Sequence, residues 1–196
     1  MQTPQNILPF DGEVYLFPAL FDEQESRALY QLLAERVAWK QEPIVIFGRQ
    51  IMQPRLTAWY GEPDKPYSYS GITMQPHAWT DELLHIKQRI EAAAAHPFSS
   101  ALLNFYRDGN DSMGWHKDNE KELGNNPVIG SVSFGAARSF HLKHATEKKL
   151  ARKVLLTNGS FLLMKGATQH HWLHSIPKDA NINEGRINLT FRTIYP

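Results

Sequence analysis

RINLTFR, residues 186–192, alternates strictly between polar and apolar side chains. On a strand, successive side chains point to opposite faces, so Arg186, Asn188, Thr190 and Arg192 share one face while Ile187, Leu189 and Phe191 share the other. The apolar set must pack into a hydrophobic layer. That turns two arginines toward whatever the opposite face encloses, and a buried guanidinium is costly without an anionic partner. Two readings follow. The arginines form structural salt bridges, or a small dicarboxylate lies along the strand with a planar fork at each end.

Outward from this stretch the same period persists. ALLNFYR, VIGSVSF, RSFHLKH, RKVLLT, GSFLLMK and QHHWLH are further short runs punctuated by Gly, Asn and Pro, beginning near residue 98. About seven strands with no helices between them predict a sandwich or jelly roll. Before them, FDEQESRALYQLLAERV carries Asp22 and Glu25 at capping-box spacing and an apolar stripe of Leu29, Leu32, Leu33 and Val37. WTDELLHIKQRIEAAAA has Thr80 as its cap, with Leu83, Ile86 and Ile90 facing inward and Leu84 beside them. Residues 42–75, rich in Pro, Gly and aromatics, read as hairpins and loops rather than core. The expected class is α+β: a jelly-roll core over residues 98–196, two N-terminal helices packed on one sheet, all in a single domain spanning residues 1–196.

Composition narrows the function. At 196 residues, 42% apolar and 21% charged, the chain has room for one proper core. No apolar run approaches the ~20 residues that span a bilayer, and MQTPQNILPF lacks a signal peptide's basic and apolar segments. A cytoplasmic protein with no membrane association and no obligate protein partner is expected. A net charge of +1 gives no bulk argument for nucleic acid, which would need local basic patches. The absence of cysteine confines any metal site to nitrogen and oxygen ligands.

HKDNEKE, residues 116–122, is by composition a solvated face, yet it spaces His116 and Asp118 by one residue. QHHWLHS adds three histidines in five positions; on a strand His170, Trp172 and His174 would share a face opposite His171. Two histidines and a carboxylate make the facial triad of non-heme iron(II) oxygenases, which leaves coordination sites open for cosubstrate and oxygen. In LLNFYR, Leu102, Asn104 and Tyr106 share a face, making Asn104 and Tyr106 neutral donors to an acidic ligand.

Taken together, NFYRDGNDSMGWHKDNE, SVSFGAARSFHL, HWLHSIP and RINLTFR resemble the AlkB family of Fe(II)- and 2-oxoglutarate-dependent nucleic-acid dealkylases. The likeness runs from about residue 40 to 196 and is strongest over 101–193. It implies a double-stranded β-helix core and oxidative removal of N-methyl groups, using Fe(II), 2-oxoglutarate and O2 and releasing formaldehyde. By motif match it implies iron ligands His116, Asp118 and His174, because His174 alone precedes the Ser-Ile-Pro turn. Arg186 and Arg192 match the arginines at the carboxylate ends of 2-oxoglutarate; Asn104, Tyr106 and Thr190 match its hydrogen-bonding partners, with Asn188 completing that face. Glu120 matches an acid that reaches the amino group of the target base.

Residues 40–80 resemble the nucleotide-recognition lid of the family's duplex-acting branch. IVIFGRQIMQPR has the shape of its hairpin finger, with Phe47 at the tip and Arg55 after Pro54, and YSYSG puts Tyr67 and Tyr69 where an aromatic stacks on the extruded base. HLKHATEKKLARK supplies Lys143, Lys148, Lys149, Arg152 and Lys153, either as a solvated loop or as a hold on the phosphates of a second strand. The implied substrates are 1-methyladenine and 3-methylcytosine in alkylated DNA. The alternatives are an RNA or protein demethylase on the same scaffold, and a non-catalytic nucleic-acid-binding module.

Overall fold

The structure, a computed structural model, describes residues 4–46, 49–62, 67–69, 72–74 and 76–195. In chain order the elements are β1 (Glu13–Phe17), α1 (Glu23–Arg36), β2 (Pro43–Ile46), β3 (Arg49–Met52), β4 (Leu56–Gly61), β5 (Tyr67–Tyr69), β6 (Ile72–Met74), α2 (Asp81–Ala94), β7 (Ser100–Tyr106), β8 (Met113–His116), β9 (Ile129–Gly135), β10 (Arg138–His144), β11 (Ala151–Leu156), β12 (Ser160–Lys165), α3 (Thr168–His171), β13 (Trp172–Ile176) and β14 (Arg186–Arg192), with a 3₁₀ turn at Lys121–Leu123. A six-stranded sheet in the order β1-β12-β9-β14-β7-β4 faces a four-stranded sheet in the order β11-β10-β13-β8. All the pairings within these two sheets are antiparallel. This is the expected jelly roll.

Period two sorts the core into two layers. Leu103, Val132, Phe134, Phe161, Leu163, Ile187, Leu189 and Phe191 project from the six-stranded sheet toward the helices. There they meet Leu29, Leu33, Val37, Leu83, Ile86 and Ile90. The intervening positions Leu102, Tyr106, Leu162 and Met164 project the other way, into the space between the sheets, against Phe140, Leu142, Val154, Leu156 and Trp172. Each buried large side chain contributes roughly 1.5–3 kcal/mol of transfer free energy, so a one-residue slip of any central strand would turn a whole apolar row the wrong way.

Both helices start as the sequence indicates. Asp22 caps α1 by accepting from Glu25 N at 2.8 Å, and Thr80 Oγ1 caps α2 through Leu83 N at 3.4 Å. The capping box on α1 is only half formed, because the Glu25 carboxylate instead takes His85 Nε2 of α2 at 2.8 Å. Leu84 departs from its expected place and is exposed, since it falls outside the stripe that Leu83, Ile86 and Ile90 define.

Two larger expectations are corrected. Residues 42–75 are not hairpins and loops throughout: β4 within them is the edge strand of the six-stranded sheet, with Ala58, Trp59 and Tyr60 all buried. The run LTAWYG is apolar on both faces because Tyr60 packs under the helices while Trp59 packs between the sheets. Hairpins β2–β3 and β5–β6 flank it as separate two-stranded ribbons. The second correction concerns QHHWLH. Thr168–His171 form a helical turn and the strand begins only at Trp172, so His170 does not share a strand face with His174. Thr168 fixes that turn: its Oγ1 accepts from Glu13 N at 2.8 Å and lies 2.6 Å from Lys165 O, anchoring the chain to β1 before it can extend.

Candidate active site

The cavity between the sheets is walled on one side by Asn104, Tyr106, Ser131, Arg186, Asn188, Thr190 and Arg192, and on the other by His116, Asp118, Phe140 and His174. β14 delivers its whole polar face at once. Register pairs Asn188 with Asn104 on β7 and with Ser133 on β9, so the polar rows of three neighbouring strands line up. On the smaller sheet, His174 of β13 pairs directly with His116 of β8. Their ring centroids lie 4.2 Å apart.

His116, Asp118 and His174 bring one nitrogen or oxygen atom each to within 4.8 Å of one another, a set that fits a metal ion. The protonation pattern suits the task. His116 Nδ1 donates to Gly114 O at 2.9 Å, which makes Nε2 the nitrogen free to act as a ligand. His174 is held neutral: burial, reinforced by His116, pushes it down to about 3 against the opposing pull of Asp118. Burial alone would raise Asp118, but the Arg192 guanidinium, together with the two histidine rings, holds it below its usual value and so ionised. Two imidazoles and one carboxylate, with no thiolate, are the donor set an iron(II) oxygenase uses.

Asp11, His144 and His171 bring their ligand atoms equally close, but their hydrogen bonding opposes a metal. His144 Nδ1 accepts the Glu147 N–H at 3.1 Å, so the ring proton sits on Nε2 and points to Asp11 Oδ2 at 3.3 Å. A metal there would need a doubly deprotonated ring. This cluster is a contact between a buried histidine and an exposed aspartate.

The arginines differ in a way the sequence did not show. Arg192 Nη2 donates to Asp118 Oδ1 at 2.6 Å, tying the polar face of β14 to the candidate metal triad. Arg186, only 1% exposed, donates Nη2 to Ser133 Oγ at 2.9 Å, while its Nε and Nη1 have no hydrogen-bond partner. Burial pulls Arg186 down to about 10, opposed by Tyr106, whose ring lies 5.2 Å from the guanidinium carbon. A buried cation with two unanswered donors fits a carboxylate. Of the two readings left open for these residues, the salt-bridge one describes Arg192 in part and does not describe Arg186.

The remaining expected residues fall as follows. Tyr106 is buried between the guanidiniums of Arg186 and Arg138. Asn104 spends its oxygen on Arg55 Nε at 2.7 Å, which turns its amide nitrogen into the group left to donate. Arg55, carried over as a nucleic-acid contact, is therefore buried against the cavity wall. Asn188 is satisfied within the sheet by Ser131 Oγ at 2.8 Å and Val132 O at 3.0 Å, and accepts from Thr190 Oγ1 at 3.1 Å. It braces Thr190. Glu120 is half-buried, and its Oε2 has no partner. Phe47 lies outside the described residues, and for Tyr67 and Tyr69 only the β5 backbone is described. Lys148 and Lys149 sit exposed at the β10–β11 turn, and Lys143 Nζ lies 4.2 Å over the ring of Trp115.

Several contributors escaped the sequence reading. Ser131 and Ser133 had a signal in the alternation of GSVSF. Phe140, stacked on His174 at 5.3 Å, looked like ordinary core. Arg138 gave none: its guanidinium binds the carbonyls of Asp108, Asp111 and Pro177, knitting together three points of two loops.

The family model described as 2OG-Fe(II) oxygenase superfamily matches residues 13–192. The chain belongs to this superfamily and, within it, to the AlkB homologues. It is 44% identical over 194 residues to the rat protein named alpha-ketoglutarate-dependent dioxygenase alkB homolog 3, a match covering 94% of this chain and 65% of that one. To the human protein named DNA oxidative demethylase ALKBH2 it is 35% identical over 188 residues, covering 91% and 72% of the two chains. The solved structure of OsALKBH1 superposes with a TM-score of 0.67 at 18% identity, covering 96% of this chain and all of that one, which speaks to the fold. The chain thus spans about two-thirds of the length of the rat relative. Fe(II) and 2-oxoglutarate are the cofactors of the family, and the donor set and Arg186 fit both.

Proposed function

We propose that this protein is an Fe(II)- and 2-oxoglutarate-dependent demethylase that repairs 1-methyladenine and 3-methylcytosine in DNA. The observation that carries this reading is the buried guanidinium of Arg186, with two unpartnered nitrogens, on the wall of the cavity that holds His116, Asp118 and His174. One group asks for a carboxylate and the other three for a metal. His116, Asp118 and His174 would hold the iron. Arg186 and Arg192 would take the cosubstrate's carboxylates, and Asn104, Tyr106 and Thr190 would orient it.

With O2, the bound metal and cosubstrate supply an oxidant for the N-methyl carbon, whose hydroxylated product sheds formaldehyde. The chain's own contributions are positional. The unpartnered Glu120 Oε2 is an acceptor for the exocyclic amino group that adenine and cytosine share. The methylated atom lies on the Watson–Crick edge, so the nucleotide must leave the duplex, and a base already blocked from pairing is cheaper to extrude. Phe47, Tyr67 and Tyr69 belong to the lid segment that would receive it. The relative named a DNA oxidative demethylase supports DNA as the polymer. Iron-dependent conversion of 2-oxoglutarate to succinate, stimulated by a methylated oligonucleotide, tests this reading. Turnover without stimulation would leave the enzyme class and remove the substrate.

A further inference from the structure

Asp118 lies just past the end of β8, where no strand ladder supports its backbone. Its N–H is nevertheless buried, and a buried donor left unpaired loses its hydrogen bond to water without replacement. Gln169 supplies the missing acceptor: Oε1 takes the Asp118 N–H at 2.9 Å. The glutamine is 1% exposed, and its Nε2 lies 3.7 Å from the sulfur of Met164, another residue of the cavity wall. The next residue repeats the tie, since Lys117 Nζ donates to His170 O. Both bonds end on α3. That turn is itself pinned to β1 through Thr168 Oγ1 and leads straight into β13, which carries His174.

From this geometry we infer that Gln169 is a positioning residue for Asp118: the α3 turn sets the distance between the carboxylate from the β8 segment and the histidine from β13. This rests on the reading of His116, Asp118 and His174 as the metal ligands. The carboxylate can reach a metal beside two paired histidines only if its Cα is held where the ladder no longer holds it. Arg192 orients the carboxylate oxygens, and Gln169 fixes the backbone from which they hang. Support of this kind changes metal affinity by roughly 10–100-fold when removed.

The test is a titration of the metal-free protein with Co(II), read by its visible absorption, alongside circular dichroism of the same samples. Gln169→Met keeps the side chain's bulk and removes the acceptor; Gln169→Asn keeps the amide but falls short of the Asp118 N–H. Both are expected to remain folded, to bind Co(II) at least about tenfold more weakly and to shift its absorption band. Lys117→Met, which removes only the neighbouring tie, is expected to stay within about twofold of the parent. His174→Ala separates this inference from the one beneath it. If His174→Ala binds Co(II) like the parent, the ligand assignment fails. If it loses Co(II) while both Gln169 variants bind normally, only the role of Gln169 fails. Unfolding of both Gln169 variants would make the residue a prop of the fold and would also overturn the inference.

Discussion

Arg192 Nη2 lies 2.6 Å from Asp118 Oδ1, joining the polar face of β14 to the candidate metal triad inside the same buried space. Arg186, three repeats of the pleat away on the same strand face, hydrogen-bonds a serine hydroxyl and lies beside the Tyr106 ring, with no carboxylate against it. The two arginines should therefore answer replacement in opposite ways. Arg192→Met strands an ionised, buried Asp118 and is expected to destabilise the metal-free protein by about 3–5 kcal/mol. Arg186→Met removes an uncompensated buried cation and is expected to leave stability unchanged or raised. Both should weaken 2-oxoglutarate binding by tens of fold or more. Urea denaturation and calorimetric titration check the two quantities, and an unchanged 2-oxoglutarate affinity in Arg186→Met would reduce it to a structural residue.

Replacing His116, Asp118 or His174 with Ala is expected to abolish turnover while circular dichroism still reports the fold. His171→Ala should leave metal binding within about twofold of the parent. His171 belongs to a cluster whose His144 keeps its Nε2 proton for Asp11. Loss of metal in His171→Ala would contradict the ligand assignment.

Acid should weaken the iron-free protein through His174. Its folded value of about 3 lies below the unfolded value of 6.5, so the unfolded chain takes up a proton that the folded one refuses. Stability is then complete above pH 6.5 and falls as pH drops below it. From about pH 7.5 to about pH 5 the loss is about 2 kcal/mol for this group. Urea midpoints of the parent and of His174→Gln across that window measure it. A parent and variant with parallel pH profiles would show that His174 is not held neutral.

Phe47→Ala is expected to slow repair of a methylated duplex by roughly tenfold or more, because extrusion leaves a gap whose stacking an apolar wedge recovers at ~1–3 kcal/mol per contact. A single strand has no such gap, and its repair should scarcely change. Equal losses on both substrates, or on neither, would make Phe47 an ordinary hairpin residue and remove the duplex preference with it.

What the sequence made legible was whatever period two controls. The split of RINLTFR into an apolar row and a polar row is realised residue by residue, with Ile187, Leu189 and Phe191 under the helices and Arg186, Asn188, Thr190 and Arg192 in the cavity. Periodicity failed where a strand is apolar on both faces, as with Trp59 and Tyr60, because a run without alternation cannot be told from a loop rich in aromatics. It failed again at Gln169 and His170, where a hydroxyl 155 residues away in sequence from its partner on β1 decides the local backbone. Hydrogen-bond economy was hidden altogether: nothing in the order of residues says that Asn188 is spent inside the sheet while Arg186 is left wanting.

The most direct measurement is the intact mass of DNA oligonucleotides carrying one 1-methyladenine or one 3-methylcytosine, after incubation with the protein, Fe(II), 2-oxoglutarate and O2. Each should lose its methyl group as formaldehyde is released, with one 2-oxoglutarate consumed per base repaired. The reaction should stop on metal removal and in the Asp118→Ala protein. Methylated DNA that keeps its mass, while matched RNA or a methylated peptide is demethylated, would contradict the assignment.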